Sequence, residues 1–327
     1  MKAGVYHPQW RLPRRPRTVI GIDPGSAAVK AIGLEVAAGR ARISGFALVP
    51  RPDRVTDHAS GGADADPPEG LIRRLRQAAP GAREAAISLP DEEAITRVIN
   101  VPAGLGEAAL RNRIRLDIEA SLKQSHRALA WDFRRFTATA AGEQQPVQVV
   151  AARPEAVARR TAPLRAAGLR CRLLDLDSHA MVRAALMDPR LPAGREDAPV
   201  ALLDLGTRLR LTVFDRERIQ YRQDHTLDAQ AGHTDRLRII EQALAMHHGS
   251  SDARTPGTLA LAGGGADERL AAAIDRQLTL PSHCIDPLRG VDIAGRVNTE
   301  RLGMSAPRLV SAIGLALHAG DPHAHWR

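Results

Sequence analysis

Apolar residues in this chain fall into short blocks separated by polar turns. "TVIGID" and "AVKAIGLEV" (18–36) flank a DPGS turn, and "RARISGFALV" follows an "AAG" turn. Val, Ile and the turn residues predict three strands over 18–49. Residues 51–70 read as a polar loop. A helix, "LIRRLRQAAP", and a strand, "AAISLP", come next. Between 106 and 124, Leu110, Ile114, Ile118 and Leu122 recur every four residues, one face of a helix, while Arg111, Arg113 and Arg115 point mostly elsewhere. "VQVVAA" (147–152) reads as a strand. "RPEAVARRTAPLRAAG" reads as a helix with Pro154 near its start, Pro163 inside and Gly168 at its end. "CRLLDLD" is a further strand and "SHAMVRAALM" a further helix. The stretch 188–199, rich in Pro, Gly and charge, reads as a linker.

The pattern then restarts. "VALLDLGTRLRLTVFDRERIQYRQ" repeats strand, turn, strand, turn, strand, with Asp204 and Gly206 where the first block has Asp23 and Gly25. This points to a duplicated unit with two equivalent acidic hairpins. A helix, "TDRLRIIEQALAMHH", is expected to be capped by Thr234 and ended by Gly249. A strand, "TLALAG", runs into Gly263, Gly264 and Gly265 ahead of a helix, "ADERLAAAIDRQL". "SAPRLVSAIGLALHAG" closes the chain as a helix.

Composition narrows the picture. At 327 residues the chain is long enough for two domains. With 44% hydrophobic but only 3% aromatic residues, its core must be aliphatic. The net charge of +9 fits either a compositional bias toward arginine or a phosphate-rich partner. Part of that excess lies in "RLPRRPR" (11–17), a tail able to meet anionic headgroups. Cys171 and Cys284 form neither a zinc spacing nor a disulfide framework. The basic start lacks the apolar segment of a secretory signal. "LVSAIGLAL" falls well short of the roughly 20 residues a membrane span requires. A cytoplasmic protein is expected.

An acid at the end of an apolar strand needs a partner, because burying it bare is costly. Taken singly, a strand–Asp–x–Gly corner is an ordinary turn. Two of them, with a Gly-rich strand-to-helix junction, form a pattern suited to a nucleoside triphosphate between two lobes. Hairpin N–H groups can cradle phosphates, and glycines at a helix start allow close approach. Asp23 and Asp204 can share a hydrated Mg²⁺, which takes few carboxylates and keeps several waters. Lys30 is one of three lysines among 46 basic residues. It is either a chosen point charge or a half-exposed strand residue. His247-His248 reads as a helix-end feature and His179 as structural. No catalytic Ser/His/Asp or Cys/His set is apparent.

Two such hairpins and a late Gly-rich loop resemble the actin/sugar-kinase superfamily, and within it the PilM proteins of type IV pilus assembly, related to FtsA. The likeness runs from about residue 18 to 319. It includes "IGIDPGSAAVKAIGLE", "AAISLPDEEAITRVINVPAGLGEAALRNRIRLDIEASL", "ALLDLGTRLRLTVF", "LALAGGGADERLAAAIDRQL" and "SAIGLALH". It implies a duplicated ribonuclease-H-like, actin-like α/β fold with two lobes around a nucleotide cleft. The expected parts are a basic tail (1–16), a first lobe (17–187) with an inserted small subdomain at about 85–150, a linker (188–199) and a second lobe (200–327). The second lobe is shortened after about 221, and its last helix returns to the first. The resemblance places Asp23, Gly25, Ser26 and Lys30 in a first phosphate loop, Asp204 and Gly206 in a second, and Gly263, Gly264 and Gly265 at the adenosine. ATP with Mg²⁺ is the implied cofactor.

The implied partner is the N-terminal cytoplasmic peptide of an inner-membrane PilN-like protein, held beside the inserted subdomain, with pilus motor ATPases beyond it. The expected place is the inner face of the inner membrane, with attachment through that partner and no nucleic-acid role. Two departures stand out. Pro24 replaces an aliphatic residue, and the region after Tyr221 has no Gly-Gly pair and lacks about thirty residues of the family pattern. A nucleotide-free scaffold like the type II secretion GspL proteins is therefore the alternative. "GIDPGS" also resembles RuvC-type nucleases, but those are about half this length and have no second hairpin. A sugar kinase would need a substrate-positioning acid that the sequence does not reveal.

Overall fold

The computed structural model describes residues 17–37, 40–51, 69–121, 129–136, 144–191, 198–216, 218–228, 231–250, 254–289 and 291–321. The N-terminal tail, most of the 51–70 loop and the centre of the 188–199 stretch lie outside these residues.

The first half contains β1 (Arg17–Pro24), β2 (Ala28–Ala37), β3 (Arg40–Pro50), α1 (Glu69–Ala78) and β4 (Glu84–Leu89). An inserted unit follows: β5 (Ala94–Pro102), α2 (Glu107–Ser121), β6 (Ala130–Arg135) and β7 (Gln144–Ala152). The half closes with α3 (Pro154–Ala166), β8 (Arg170–Leu176) and α4 (Asp177–Ala185). The second half contains β9 (Val200–Leu205), β10 (Arg208–Asp215), β11 (Arg218–Thr226), α5 (His233–His248), β12 (Thr258–Ala262), α6 (Glu268–Leu278) and β13 (Ser282–Cys284). The chain ends through β14 (Asp292–Ile293), α7 (Thr299–Ser305) and α8 (Val310–Gly320).

The duplication is visible in the sheets. One runs β14-β3-β2-β1-β4-β8 and the other β11-β10-β9-β12-β13. Each has an antiparallel three-strand meander joined to two parallel strands, and its first strand lies between its second and fourth. The second half also returns β14 to the edge of the first sheet, beside β3.

β1 is apolar on both faces because both are covered. Val19 joins the core under α8, whereas Ile20 and Ile22 pack with Leu75 of α1 and Leu164 of α3. The closeness of α8 dictates two glycines. A Cβ at Gly21 would lie 2.2 Å from the Ala312 carbonyl oxygen, and one at Gly314 only 1.8 Å from that of Ala180 in α4. Either would force the helix away from its seat.

The inserted unit is a three-stranded antiparallel sheet in the order β5-β7-β6. Leu110 and Ile114 of α2 are fully buried against Val101, Val147 and Val149, with Ile118 packed beside them. Residues 84–89 form β4 of the main sheet rather than part of this unit.

Several local details differ from the sequence pattern. Helix α5 is capped by Gly232, not Thr234, because the Gly232 carbonyl already accepts from the Arg236 N–H. Asp177 opens α4 instead of ending the strand before it. The pattern gave no sign of β5, β6, β13, β14 or α7. Among the described residues, no helix is long and apolar enough to cross a membrane.

Candidate functional site

The tips of the two acidic hairpins meet. The Ser26 and Thr207 hydroxyls are 2.9 Å apart, joining the β1–β2 turn to the β9–β10 turn. Behind them the two halves hold their acids differently. Asp23 and Lys30 face each other across the β1–β2 ladder. Lys30 Nζ donates to Asp23 Oδ2 at 2.9 Å, and the Ser88 hydroxyl approaches Oδ1 at 3.4 Å. Burial opposes the charge on Lys30, but Asp23 and Asp204 outweigh it and hold the ammonium above its ordinary value.

The equivalent pair in the second half is Asp204 and Arg210, which also face each other across their ladder. Here the guanidinium turns away. Arg210 Nη1 donates to Asp177 Oδ2 at 2.7 Å, and Nε to Asp224 Oδ1 at 3.0 Å. Burial raises the Asp204 pKa; Lys30 and Arg210 offset this in part, while Asp23 and Asp177 add to it. Lys30 is therefore shared electrostatically between two acids, in direct contact with only one of them.

The glycine junction closes against the second hairpin. Gly263 has φ +92°, and a Cβ there would lie 2.6 Å from Asp204 Oδ1. Only glycine both adopts this backbone and leaves room for the carboxylate. The Gly263 N–H donates to the Pro307 carbonyl at 2.7 Å, the Gly265 N–H to Leu205 at 2.8 Å, and the Gly206 N–H to Arg208 at 3.0 Å. The Gly264 N–H has no such partner among the described residues. Arg308 and Arg236 flank the junction, the latter donating to the Gly265 carbonyl at 3.3 Å.

All nine residues singled out from sequence thus lie on three neighbouring turns or on the strand ends that flank them. Gly25 packs beside Lys30, Gly206 beside Asp204, and Ser26 forms the contact between the hairpins. Pattern reading passed over a set of charges next to them. The Ser178 hydroxyl donates to Asp91 at 2.6 Å. Arg222 lies 3.6 Å from Asp91 and 3.2 Å from Asp224. Glu92 stands 3.9 Å from both Arg210 and Arg222. Burial and the adjacent Asp91 raise the Asp177 pKa against the pull of Arg210. This network ties the turn after β4 and the start of α4 to β10 and β11. Arg210 was legible in principle, since it occupies the place in the repeat that Lys30 occupies in the first half.

The donor set suits a hydrated cation better than a bare one. Among the described residues no group of three or more His, Cys, Asp or Glu could hold a metal ion. Mg²⁺ asks less of the protein, needing one or two carboxylates and its own waters. Asp204, acidic and in direct contact with no cation among the described residues, is the side chain such an ion would satisfy.

A second region has the opposite character. On the inserted unit Ile95, Val98 and Leu116 are 53%, 47% and 54% exposed. Beside Ile95 a cavity of about 90 Å³ is bounded by Ile95, Arg97, Asp117, Ile118, Leu129 and Val149, among others. Strand β5 is an edge of its sheet, paired on one side by β7, so its other edge has backbone groups to offer.

Compared with known families, the chain matches the model of the type IV pilus assembly protein PilM over residues 21–235 and 233–320. It belongs to the PilM family. Among solved structures it is similar to a PilM-PilN type IV pilus biogenesis complex at 20% identity and TM-score 0.72, covering 95% of this chain and 100% of that one. Weaker likenesses are to the ethanolamine utilization protein EutJ from Carboxydothermus hydrogenoformans (15%, TM-score 0.42, 94% and 90% covered) and to the cytoplasmic domain of EpsL of the Vibrio cholerae type II secretion system (13%, TM-score 0.43, 90% and 94% covered). The two lobes are those of the actin-like fold, as the duplicated sheets require. In this PilM family member β11 continues past Tyr221 to Thr226, and α5 begins at His233.

Proposed function

We propose that this chain is a cytoplasmic adaptor of type IV pilus assembly that works by binding rather than turnover. In this reading it takes the N-terminal peptide of an inner-membrane PilN-like partner and helps link the pilus motor to the complex that aligns it. The observation that carries the reading is the inserted unit. A bare strand edge beside three exposed aliphatic side chains suits an extended peptide, which gains main-chain hydrogen bonds from the edge and side-chain burial from the pocket. Attachment at the inner face of the inner membrane follows from the partner.

The crevice is the place for a cofactor, and ATP with Mg²⁺ is the group its acids suit. Asp204 and Asp23 would hold the hydrated ion. Lys30 and Ser26 would meet phosphate oxygens, and Gly263, Gly264 and Gly265 would lie at the adenosine. Such a group would supply charge that draws the two hairpins together. A second reading, a nucleotide-free scaffold, is favoured by the internal hydrogen bonds of Gly206, Gly263 and Gly265 and by the cross-lobe ion pairs.

Titration with ATP and Mg²⁺ separates the two. Saturable binding that Asp23→Ala weakens supports the cofactor; no binding at millimolar nucleotide selects the scaffold. Loss of the partner peptide in either state refutes the adaptor.

A further inference from the structure

The two ends of the first sheet differ in charge. At the C-terminal ends of its parallel strands are Asp23 and the crevice. At the N-terminal ends, Arg17, Glu84 and Arg170 start β1, β4 and β8 side by side. Glu84 there receives both Arg17 and Arg170, and Arg172 stands 3.9 Å away. Arg172 also donates to the Asp321 carbonyl at 2.9 Å. One carboxylate is thus shared by three guanidiniums, with the Asp321 carboxylate as the other nearby acid acting on Arg172. Arg83 adds an exposed positive charge with no ion-pair partner among the described residues.

Two observations mark this corner as unfinished rather than merely solvated. The Arg172 side chain is only 9% exposed, yet its Nε has no hydrogen-bond partner among the described residues. In front of Glu84 a cavity of about 480 Å³ is lined by Arg17, Thr18, Gly81, Arg83, Glu84 and Arg170. Burial, and then mutual repulsion among the arginines, lowers the pKa of Arg17; burial lowers that of Arg172, with Asp321 opposing and Arg170 adding. An anion placed here would relieve that repulsion and give the planar guanidiniums the two-pronged oxygen partner they suit.

We infer that this corner binds the phosphate of an anionic lipid headgroup, seating the N-terminal edge of the first sheet on a membrane surface. Charge complementarity and the chain's own path favour a membrane over a soluble phosphate. The chain enters the corner at Arg17 from a sequence carrying Arg11, Arg14 and Arg15, the clustering that anionic bilayers attract. The inference is independent of the adaptor reading: it concerns a different face and needs no peptide.

The test is co-sedimentation of the full-length protein with vesicles of phosphatidylglycerol and phosphatidylcholine, compared with phosphatidylcholine alone. The wild type is expected to bind only the anionic vesicles. Arg83→Glu combined with Arg170→Glu should weaken that binding roughly tenfold or more, each basic residue near the surface contributing about fivefold. The milder Arg83→Gln/Arg170→Gln chain should bind weakly too, and its melting curve checks that it folds. Changing Arg11, Arg14 and Arg15 to Gln should leave more affinity than the corner variants do. Equal binding by wild type and Arg83→Gln/Arg170→Gln would overturn the inference, as would complete loss from the tail changes alone. Release of the protein from the vesicles by inorganic phosphate, or equal retention by duplex DNA, would overturn the membrane assignment.

Discussion

The crevice and the inserted unit solve opposite problems. In the crevice most polar groups already have an internal partner: Lys30 on Asp23, Arg210 on Asp177 and Asp224, and three N–H groups of the glycine turns on carbonyls. On the inserted unit Ile95, Val98 and Leu116 stand exposed near a strand edge that pairs with no other strand among the described residues. A region that has satisfied its own groups holds a fold together. One that leaves apolar surface and backbone unmet is prepared for something else. The difference teaches that resemblance to a nucleotide-binding fold does not by itself locate the working surface, which the proposed function puts in the insertion.

Substitutions should divide along the same line. The largest expected effect is from Arg210→Met. Removing the guanidinium strands Asp177 and Asp224 across the lobes and should lower stability to denaturant by about 3 kcal/mol while leaving peptide affinity in the folded fraction unchanged. Asp23→Ala should follow, at about 2 kcal/mol, because Lys30 loses its partner in a part-buried site. Lys30→Met in the Asp23→Ala background should recover most of that loss in a double-mutant cycle.

Asp204→Asn probes the sign of the burial effect. The folded chain keeps the Asp204 proton to higher pH than the unfolded chain does, so stability falls as pH rises above the ordinary Asp value of about 4. The Asn variant lacks that slope. It should be the more stable protein at neutral pH, with the gap closing toward pH 4, in parallel thermal melts. Ser26→Ala removes one exposed contact and should change stability by less than about 1 kcal/mol. Smallest of all on stability, Ile95→Ser with Val98→Ser should stay within about 0.5 kcal/mol of wild type yet weaken partner-peptide binding roughly tenfold or more.

Much of the architecture was legible because each half repeats a strong local signal. Apolar strands broken by Asp-x-Gly turns gave both meanders, and Leu110 and Ile114 gave α2 its buried face. The exposed strand β5 was not legible. "AITRVINVP" neither alternates like a half-buried strand nor runs apolar like a central one, since Ile95 and Val98 face water and only Val101 is fully buried. The feature that hid the strand is the one that makes it a candidate surface. The acids of the crevice were readable from their places in the repeat. The cross-lobe partners of Arg210 were not, because Glu92 and Asp177 come from separate elements that only the tertiary fold brings to it. In the same way, Glu84 among its arginines becomes a site only when three strand starts line up.

On the proposed function, the inserted unit binds a partner's extended peptide. The most direct test is calorimetric titration of the full-length protein with a synthetic N-terminal cytoplasmic peptide of its inner-membrane partner, alongside the Ile95→Ser/Val98→Ser chain. One peptide per protein is expected for the wild type, with affinity largely lost in the variant while its melting temperature holds. Equal affinity in both proteins, or no heat of binding in either, would contradict it.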